Sequence, residues 1–302
     1  MKAIPSNFSR FDKNELVFNS ISLSNSRKWI CNTKVPLSKS VDEAFQEIFN
    51  RFPEHNLLFD GCSFENKEYL KTFGFKSLAF GKEAIIDLSR DLFQKKSLQE
   101  LVRRGKRHGY TTEIDYNTEN EVLLQNFILN TSHGKEPQLK NLFATSFQEH
   151  HRLFVFKGEN EWIAAIMLSL KDKKYIQTEL ILRYSDAPVG VMEALIYDIV
   201  LKLKGEGFDF WSLGAVPFVE YDSKLFSLSW FINFVGRKIR FAYNYKGLFN
   251  FKNKFNPIWE PYFICYKNRL NPVQIFRLSK ESNLFKLVFH NILLKLHLHY
   301  GR

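Results

Sequence analysis

Apolar residues along this chain change their period several times, and each change marks an element. VDEAFQEIFNRF (41–52) repeats apolar positions at helical spacing, and NLLFDGCSF (56–64) is a short apolar run of strand type. NKEYLKTFG predicts a second helix stopped by Gly74, and KSLAFGKEAIIDLS (76–89), alternating and then continuously apolar, predicts one or two strands. In QKKSLQELVRRGKRHGY (94–110) a helix capped by Ser97 turns Leu98, Leu101 and Val102 inward and ends at Gly109. Helices at 118–130 and 138–149 precede three strand candidates, RLFVFKG, EWIAAIMLSLK and KYIQTELILRY. A helix over about 190–204, a strand at 208–213, a helix near 225–234 and strands near 239–245 and 261–266 complete the order.

The pattern gives an α/β (α+β) chain without repeats. Three antiparallel strands, a helix, a strand, a helix and two strands is the succession of a GCN5-related N-acyltransferase fold. Enzymes of that fold usually hold acyl-coenzyme A by presenting backbone amides at a helix N-terminus to its pyrophosphate. Here the corresponding stretch is YSDAPVGVMEAL, with Gly190 as its one glycine and Pro188 removing an amide, so coenzyme A is disfavoured and no cofactor is expected.

Composition sharpens the reading. With 302 residues and 45% hydrophobic content the chain can bury a full core as one large or two ordinary domains. The net charge of +11 is localised: residues 233–302 hold 13 Lys or Arg against two acids, Glu260 and Glu281, while the rest of the chain is balanced. Such a field attracts RNA, DNA or an anionic membrane surface, or is simply a solvated face. Cys31, Cys62 and Cys265 are too few and too scattered for a disulfide framework or a zinc site, and the eight histidines lack metal-ligand spacing, so no metal is expected. The N-terminus lacks a signal-peptide core, and WIAAIMLSL and LFSLSWFINFVG are too short to span a bilayer. A reducing cytoplasm is the expected setting.

Several segments, in order, resemble the C-terminal catalytic domain of bacterial phosphatidylglycerol lysyltransferases, the aminoacyl-tRNA-dependent aminoacyl-phosphatidylglycerol synthases. They are GKEAIIDLS (81–89) with the basic helix after it, LRYSDAPVGVMEALI (182–196), GFDFWSLGAVPF (207–218) and YNYKGLFNFKNKFNPIWEPYFICY (243–266). The resemblance implies tandem acyltransferase-like domains joined by a basic helix. That division gives a degenerate N-terminal domain at 1–93, the helix at 94–110, a catalytic domain at 111–275 and a basic amphipathic helix at 276–302. It implies tRNA contacts at Lys95, Lys96, Arg103, Arg104, Lys106 and Arg107. No counterpart of the multi-span flippase domain of many members occurs in these residues.

Moving an aminoacyl group from a tRNA ester to another hydroxyl exchanges like esters, so alignment, a proton path and positive charge at the developing oxyanion are what the site must supply. Within the resemblance, Lys252 and Lys254 suit the last of these tasks, or the clamping of a lipid phosphodiester or of the tRNA terminus. Read as an extended segment, FKNKF turns both lysines to one face, with Phe251, Phe255 and Trp259 as an apolar wall. Read without the resemblance, the same stretch is a basic edge strand on aromatics. Glu179 falls where the family has an aspartate, to hold the α-amino group or assist proton transfer; otherwise it is a polar residue on an outward strand face. The family's arginine three positions on aligns with Leu182, and its neighbour Arg183 replaces it only if a bulge or register shift intervenes. Val189 stands where the family has a polar residue before Gly190. Gly214 and Pro217 are expected to shape a turn, and Tyr243 and Tyr262 to line the pocket or the core.

The tail ESNLFKLVFHNILLKLHLHYGR (281–302) places Leu284, Phe285, Val288, Phe289, Ile292, Leu293 and Leu296 at helical spacing among lysines, to lie on an anionic membrane or dock on the body. The expected activity is aminoacyl transfer from aminoacyl-tRNA to the hydroxyl of a lipid, phosphatidylglycerol by default, by a protein peripheral to the inner face of the cytoplasmic membrane. The alternatives are transfer to a peptide, cell-wall precursor or small metabolite, or a noncatalytic RNA- or membrane-binding protein on a decayed scaffold.

Overall fold

The computed structural model describes residues 4–131, 134–159, 161–217, 219 and 245–300, with side chains described as far as Leu293. β1 (Phe8–Phe11), β2 (Val17–Ser24) and β3 (Arg27–Pro36) are followed by α1 (Val41–Arg51), β4 (Asn56–Cys62), α2 (Phe64–Lys71) and β5 (Phe75–Asp87). α3 (Lys96–Gly105), a 3-10 turn (Lys106–His108), β6 (Tyr110–Ile114) and α4 (Thr118–Leu129) come next. Then come β7 (His151–Lys157), β8 (Trp162–Asp172), β9 (Tyr175–Arg183), α5 (Val191–Gly205) and β10 (Phe210–Pro217). The chain closes with α6 (Tyr245–Asn253), β11 (Ile258–Lys267), α7 (Pro272–Glu281) and α8 (Leu284–Tyr300).

The fold is mixed α/β. One sheet runs β1-β3-β4-β11-β5-β10-β9-β8-β7-β6, with β2 on β3. β11 arrives late in sequence yet lies between β4 and β5, antiparallel to both. β1 runs parallel to β3 and also touches β8 at Arg10 and Leu170, so the first strand of the order closes onto a strand two places in from the other end. One core packs α1 against the strands around it through Phe8, Phe45 and Phe59. A second packs α3 and α5 on β8, β9 and β10 through Leu98, Val102, Leu195, Ile199 and Trp211, and a third lies under α4 on the opposite face of β7–β9. Helix starts are set by local chemistry: Ser40 with Glu43, Ser63 with Asn66 and Asn271 with Gln274 form reciprocal capping boxes.

Several expectations need correction. KSLAFGKEAIIDLS forms one long strand, β5. Ser97 does not cap α3: the cap position is Lys95, without a side-chain hydrogen bond. Segment 138–149 is not helical, because its backbone donors are bound elsewhere. Ala144 N donates to Glu179 Oε2 at 2.9 Å, Phe147 N to Glu121 Oε2 at 2.5 Å and Lys140 N to the Ser282 carbonyl at 3.1 Å, while Asn141 sits at φ 64°. Residues 245–253 form α6, so FKNKF is not extended. The tail is two helices, α7 and α8. The helix near 225–234, Tyr243 and all of the strand near 239–245 except Tyr245, which begins α6, lie outside the described residues.

Gly190 precedes α5 at φ 97°, against α3. A Cβ built on it meets the Leu101 carbonyl oxygen at 2.1 Å, and one on Gly105 meets the Gly190 carbonyl oxygen at 2.2 Å. Backbone-to-backbone contact of this kind leaves no room for a side chain. Gly190→Ala is expected to cost about 1–3 kcal/mol or more, read as a lower urea midpoint. Gly205→Ala, in open space at the end of α5, should instead gain about 0.5–1 kcal/mol.

Candidate active site

The parallel strands β9 and β10 pair only over Tyr175–Gln177 and Phe210–Ser212. At the last pair Thr178 Oγ1 donates to the Ser212 carbonyl at 2.9 Å, and beyond it both strands bulge away from each other's register. Against β8, Leu168 faces Thr178 and Met167 faces Leu180, leaving Glu179 as the extra residue. Against β5, Ser212 faces Ile85 and Ala215 faces Glu83, leaving one residue extra where Gly214 takes φ 86°. Paired bulges re-aim side chains into the wedge between the strands.

Lys252, in the last turn of α6, fills one side of this wedge. Its Nζ donates to the Gly214 carbonyl at 2.9 Å and the Ala215 carbonyl at 3.2 Å, and a Cβ on Gly214 would lie 3.5 Å from it. Burial lowers its pKa from the ordinary lysine value to about 7, with the charge of Glu83 opposing the shift. Glu83 accepts from Lys171 Nζ at 2.7 Å and from Ser212 Oγ at 2.6 Å. Burial pushes its carboxyl up, but Lys171, the Ser212 hydroxyl and the Lys252 charge together hold it below the usual range. Ser212 Oγ in turn accepts from Gly214 N at 3.0 Å, so the bulge and the carboxylate are joined.

Glu179 is buried. It accepts from Ser169 Oγ, from Gln177 Nε2 at 3.1 Å and from Ala144 N at 2.9 Å. Burial raises its pKa, and these three donors and the charge of Lys171 only partly offset that. Gln177 Nε2 also donates to the Phe8 carbonyl at 2.7 Å, whereas Gln177 Oε1 is buried without a hydrogen-bond partner among the described residues.

The remaining expected residues divide. Lys254 points to the start of α5, with Nζ 2.7 Å from Glu193 Oε1 and over the Phe251 ring, so the two lysines do not share a face as an extended segment requires. Phe255 is fully buried in the core beneath α3 and α5. Trp259 stacks on Phe249 and donates to Asn253, and Tyr262 packs edge-on against Phe80 above Gly81. Pro217 ends β10 opposite Gly81, a backbone role. Gly190 belongs to the α3–α5 crossing described above. Leu182 pairs with Ala165 and Arg183 with Ala164, so the bulge leaves Leu182 on the side of Glu179 and sends Arg183 to the opposite face. The structure does not bring Arg183 to Glu179.

On α3 and at its two ends, Lys95, Lys96, Arg103, Arg104, Lys106 and Arg107 are exposed, with Arg103 paired to Glu100 and Lys106 to Asp198 on α5. Among the described residues no cluster of His, Cys, Asp and Glu could hold a metal ion, and no helix is long and apolar enough to cross a membrane. The sequence reading missed Glu83, Ser169, Lys171, Gln177, Glu193 and Ser212. For some of them a signal was available in two strands: Ser169 and Lys171, and Gln177 and Glu179, are polar residues two apart in otherwise apolar runs, which marks one polar face inside a buried sheet.

The family described as phosphatidylglycerol lysyltransferase, C-terminal, matches residues 33–266. The chain belongs to this family. The phosphatidylglycerol lysyltransferase of Bacillus subtilis (strain 168) is 24% identical over 258 residues, covering 81% of this chain and 29% of that protein. The phosphatidylglycerol lysyltransferase of Staphylococcus xylosus is 22% identical over 235 residues, 70% of this chain and 27% of that one. The chain thus spans less than a third of the curated relatives it matches. The solved structure of L-PGS from Bacillus licheniformis shares the fold, with a TM-score of 0.69 and 20% identity over 88% of this chain and 85% of that one.

Glu83→Ala would strand Lys171, whose side chain is 2% exposed, and is expected to cost about 3–5 kcal/mol in urea unfolding. A Glu83→Leu, Lys171→Met pair should recover most of that loss, since two apolar groups leave no uncompensated charge.

Proposed function

We propose that this chain transfers an aminoacyl group from aminoacyl-tRNA to a hydroxyl of phosphatidylglycerol. The observation that carries the reading is Lys252, a buried lysine with its pKa near neutrality, set in the wedge of a chain whose family is described as phosphatidylglycerol lysyltransferase, C-terminal. In the amine form, two N–H groups satisfy the Gly214 and Ala215 carbonyls and the lone pair is left for a proton. A base of that strength suits a hydroxyl nucleophile at neutral pH.

The lipid hydroxyl oxygen attacks the ester carbonyl carbon, and its proton passes to Lys252 Nζ. The tetrahedral intermediate then expels the terminal ribose oxygen of the tRNA, which takes that proton back. One ester bond forms and one breaks, so no nucleotide hydrolysis is needed. Glu179 and the unpartnered Gln177 Oε1 are paired acceptors suited to the α-ammonium of the aminoacyl group. Lys254, partly exposed beside Glu193, is available to a phosphodiester. The exposed cations of α3 would receive the tRNA backbone, since that helix abuts the start of α5. The first turn of α5, where an acyltransferase would seat a pyrophosphate, carries the buried Glu193 carboxylate, which disfavours that ligand.

The test is transfer of label from mixed aminoacyl-tRNAs into a lipid extract, with and without ribonuclease. Ribonuclease-sensitive label in the organic phase is expected. Label in the aqueous phase would assign a soluble acceptor instead, and ester loss no faster than spontaneous hydrolysis would leave only a binding role. Because the Lys252 pKa is depressed, its amine form is present above about 7. The single-turnover rate is therefore expected to rise with pH up to that value and level off, and Lys252→Met to lose about 10²–10⁴-fold and the pH dependence with it. A rate that falls through the same range would make Lys252 an ammonium donor to the oxyanion and overturn its role as base.

A further inference from the structure

The two C-terminal helices present an apolar face that the body does not use. α7 is fixed by its inner side, where Gln274 Nε2 donates to Ser24 Oγ at 3.2 Å and Arg277 to the Leu23 carbonyl at 3.0 Å. Its outer side carries Val273 and Phe276, three residues apart, with Phe276 56% exposed. α8 buries Leu287 and turns Phe285, Phe289 and Ile292 outward at helical spacing, with Phe289 62% exposed. The rings of Phe276 and Phe285 meet with centroids 4.5 Å apart, making the two helices one surface. The sequence left the tail to choose between membrane and body; it docks by one side and leaves most of its apolar stripe exposed.

We infer that this surface docks the protein on an anionic bilayer. Lys280 on α7 and Lys286 on α8 are exposed on the same two helices, Lys267 and Arg269 are exposed just before them, and Glu281 is the sole acid between residues 261 and 302. A second copy of the chain would bring the same positive charge to the contact and be repelled, whereas anionic headgroups complement these cations as acyl chains receive the rings. The surface is also fastened to the site. Asn283 Nδ2 donates to the Gln138 carbonyl at 2.8 Å, Asn141 Nδ2 to the Glu281 carbonyl at 3.2 Å and Lys140 N to the Ser282 carbonyl at 3.1 Å. The same segment supplies the Ala144 amide that holds Glu179. Docking therefore fixes the bilayer relative to Glu179, an advantage that rests on the lipid-acceptor reading.

The experiment compares the native chain with Phe276→Asp, Phe289→Asp in sedimentation with vesicles of phosphatidylglycerol and phosphatidylcholine, and of phosphatidylcholine alone. The native protein should pellet with the mixed vesicles, release with salt, and bind at least about tenfold more tightly than the double variant. Both proteins should melt at the same temperature and use dispersed short-chain phosphatidylglycerol equally, with vesicle phosphatidylglycerol favouring the native chain. Equal pelleting of both proteins, equal binding to neutral vesicles, or a native dimer that the substitutions dissociate would overturn the inference. If neither protein transfers label to either lipid while pelleting still depends on the two phenylalanines, docking stands and the acceptor reading falls. If both use vesicle lipid equally well, the reverse holds.

Discussion

The carboxylate of Glu83 is the constraint on which the wedge depends. It sits on β5, where β10 and β11 flank it, and it is almost wholly out of water. A lone ionised carboxylate there is prohibitively costly, so Lys171 from β8 and the Ser212 hydroxyl from β10 must both reach it. Satisfying that one group fixes the spacing of three strands. It also anchors the Gly214 bulge, whose amide binds the same hydroxyl and whose carbonyl holds Lys252. The charge is thus a positional device as much as an electrostatic one.

Two opposed electrostatic settings follow within one buried network. Lys252 loses its proton easily because burial outweighs the attraction of Glu83. Glu179 holds its proton more tightly than usual because burial outweighs three donors and the more distant Lys171. The same lack of water acts on both groups in opposite directions, lowering the pKa of the lysine and raising that of the carboxylate, because burial disfavours whichever form is charged. Closing the sheet through β1, whose Phe8 carbonyl binds Gln177, helps keep that water out.

Much of the fold was legible because its elements are strongly periodic. β7, β8, β9, α5 and β10 lie within a few residues of where hydrophobic spacing puts them. What failed did so where tertiary contacts decide. Residues 138–149 have helical spacing, but Glu179, Glu121 and Ser282 take their amides. FKNKF looks extended, yet it ends α6, and the helix separates Lys252 from Lys254. At the candidate site, Lys252 and Glu179 were named through the resemblance. Their partners were not, because Glu83, Lys171 and Ser212 are distant in sequence and only the strand order brings them together.

The place of β11 bears on how the molecule is made. On the ribosome, β4 and β5 emerge early with a strand-wide gap between them, and the segment that fills it, Ile258–Lys267, is synthesised some 170 residues later. Until then the apolar edges of both strands have no partner, and the first core lacks Phe263 and Cys265. Closing so long a loop is slow and leaves strand edges open to wrong pairing. The pairing of β4 and β5 through β11 is therefore completed only when the last strand has been made.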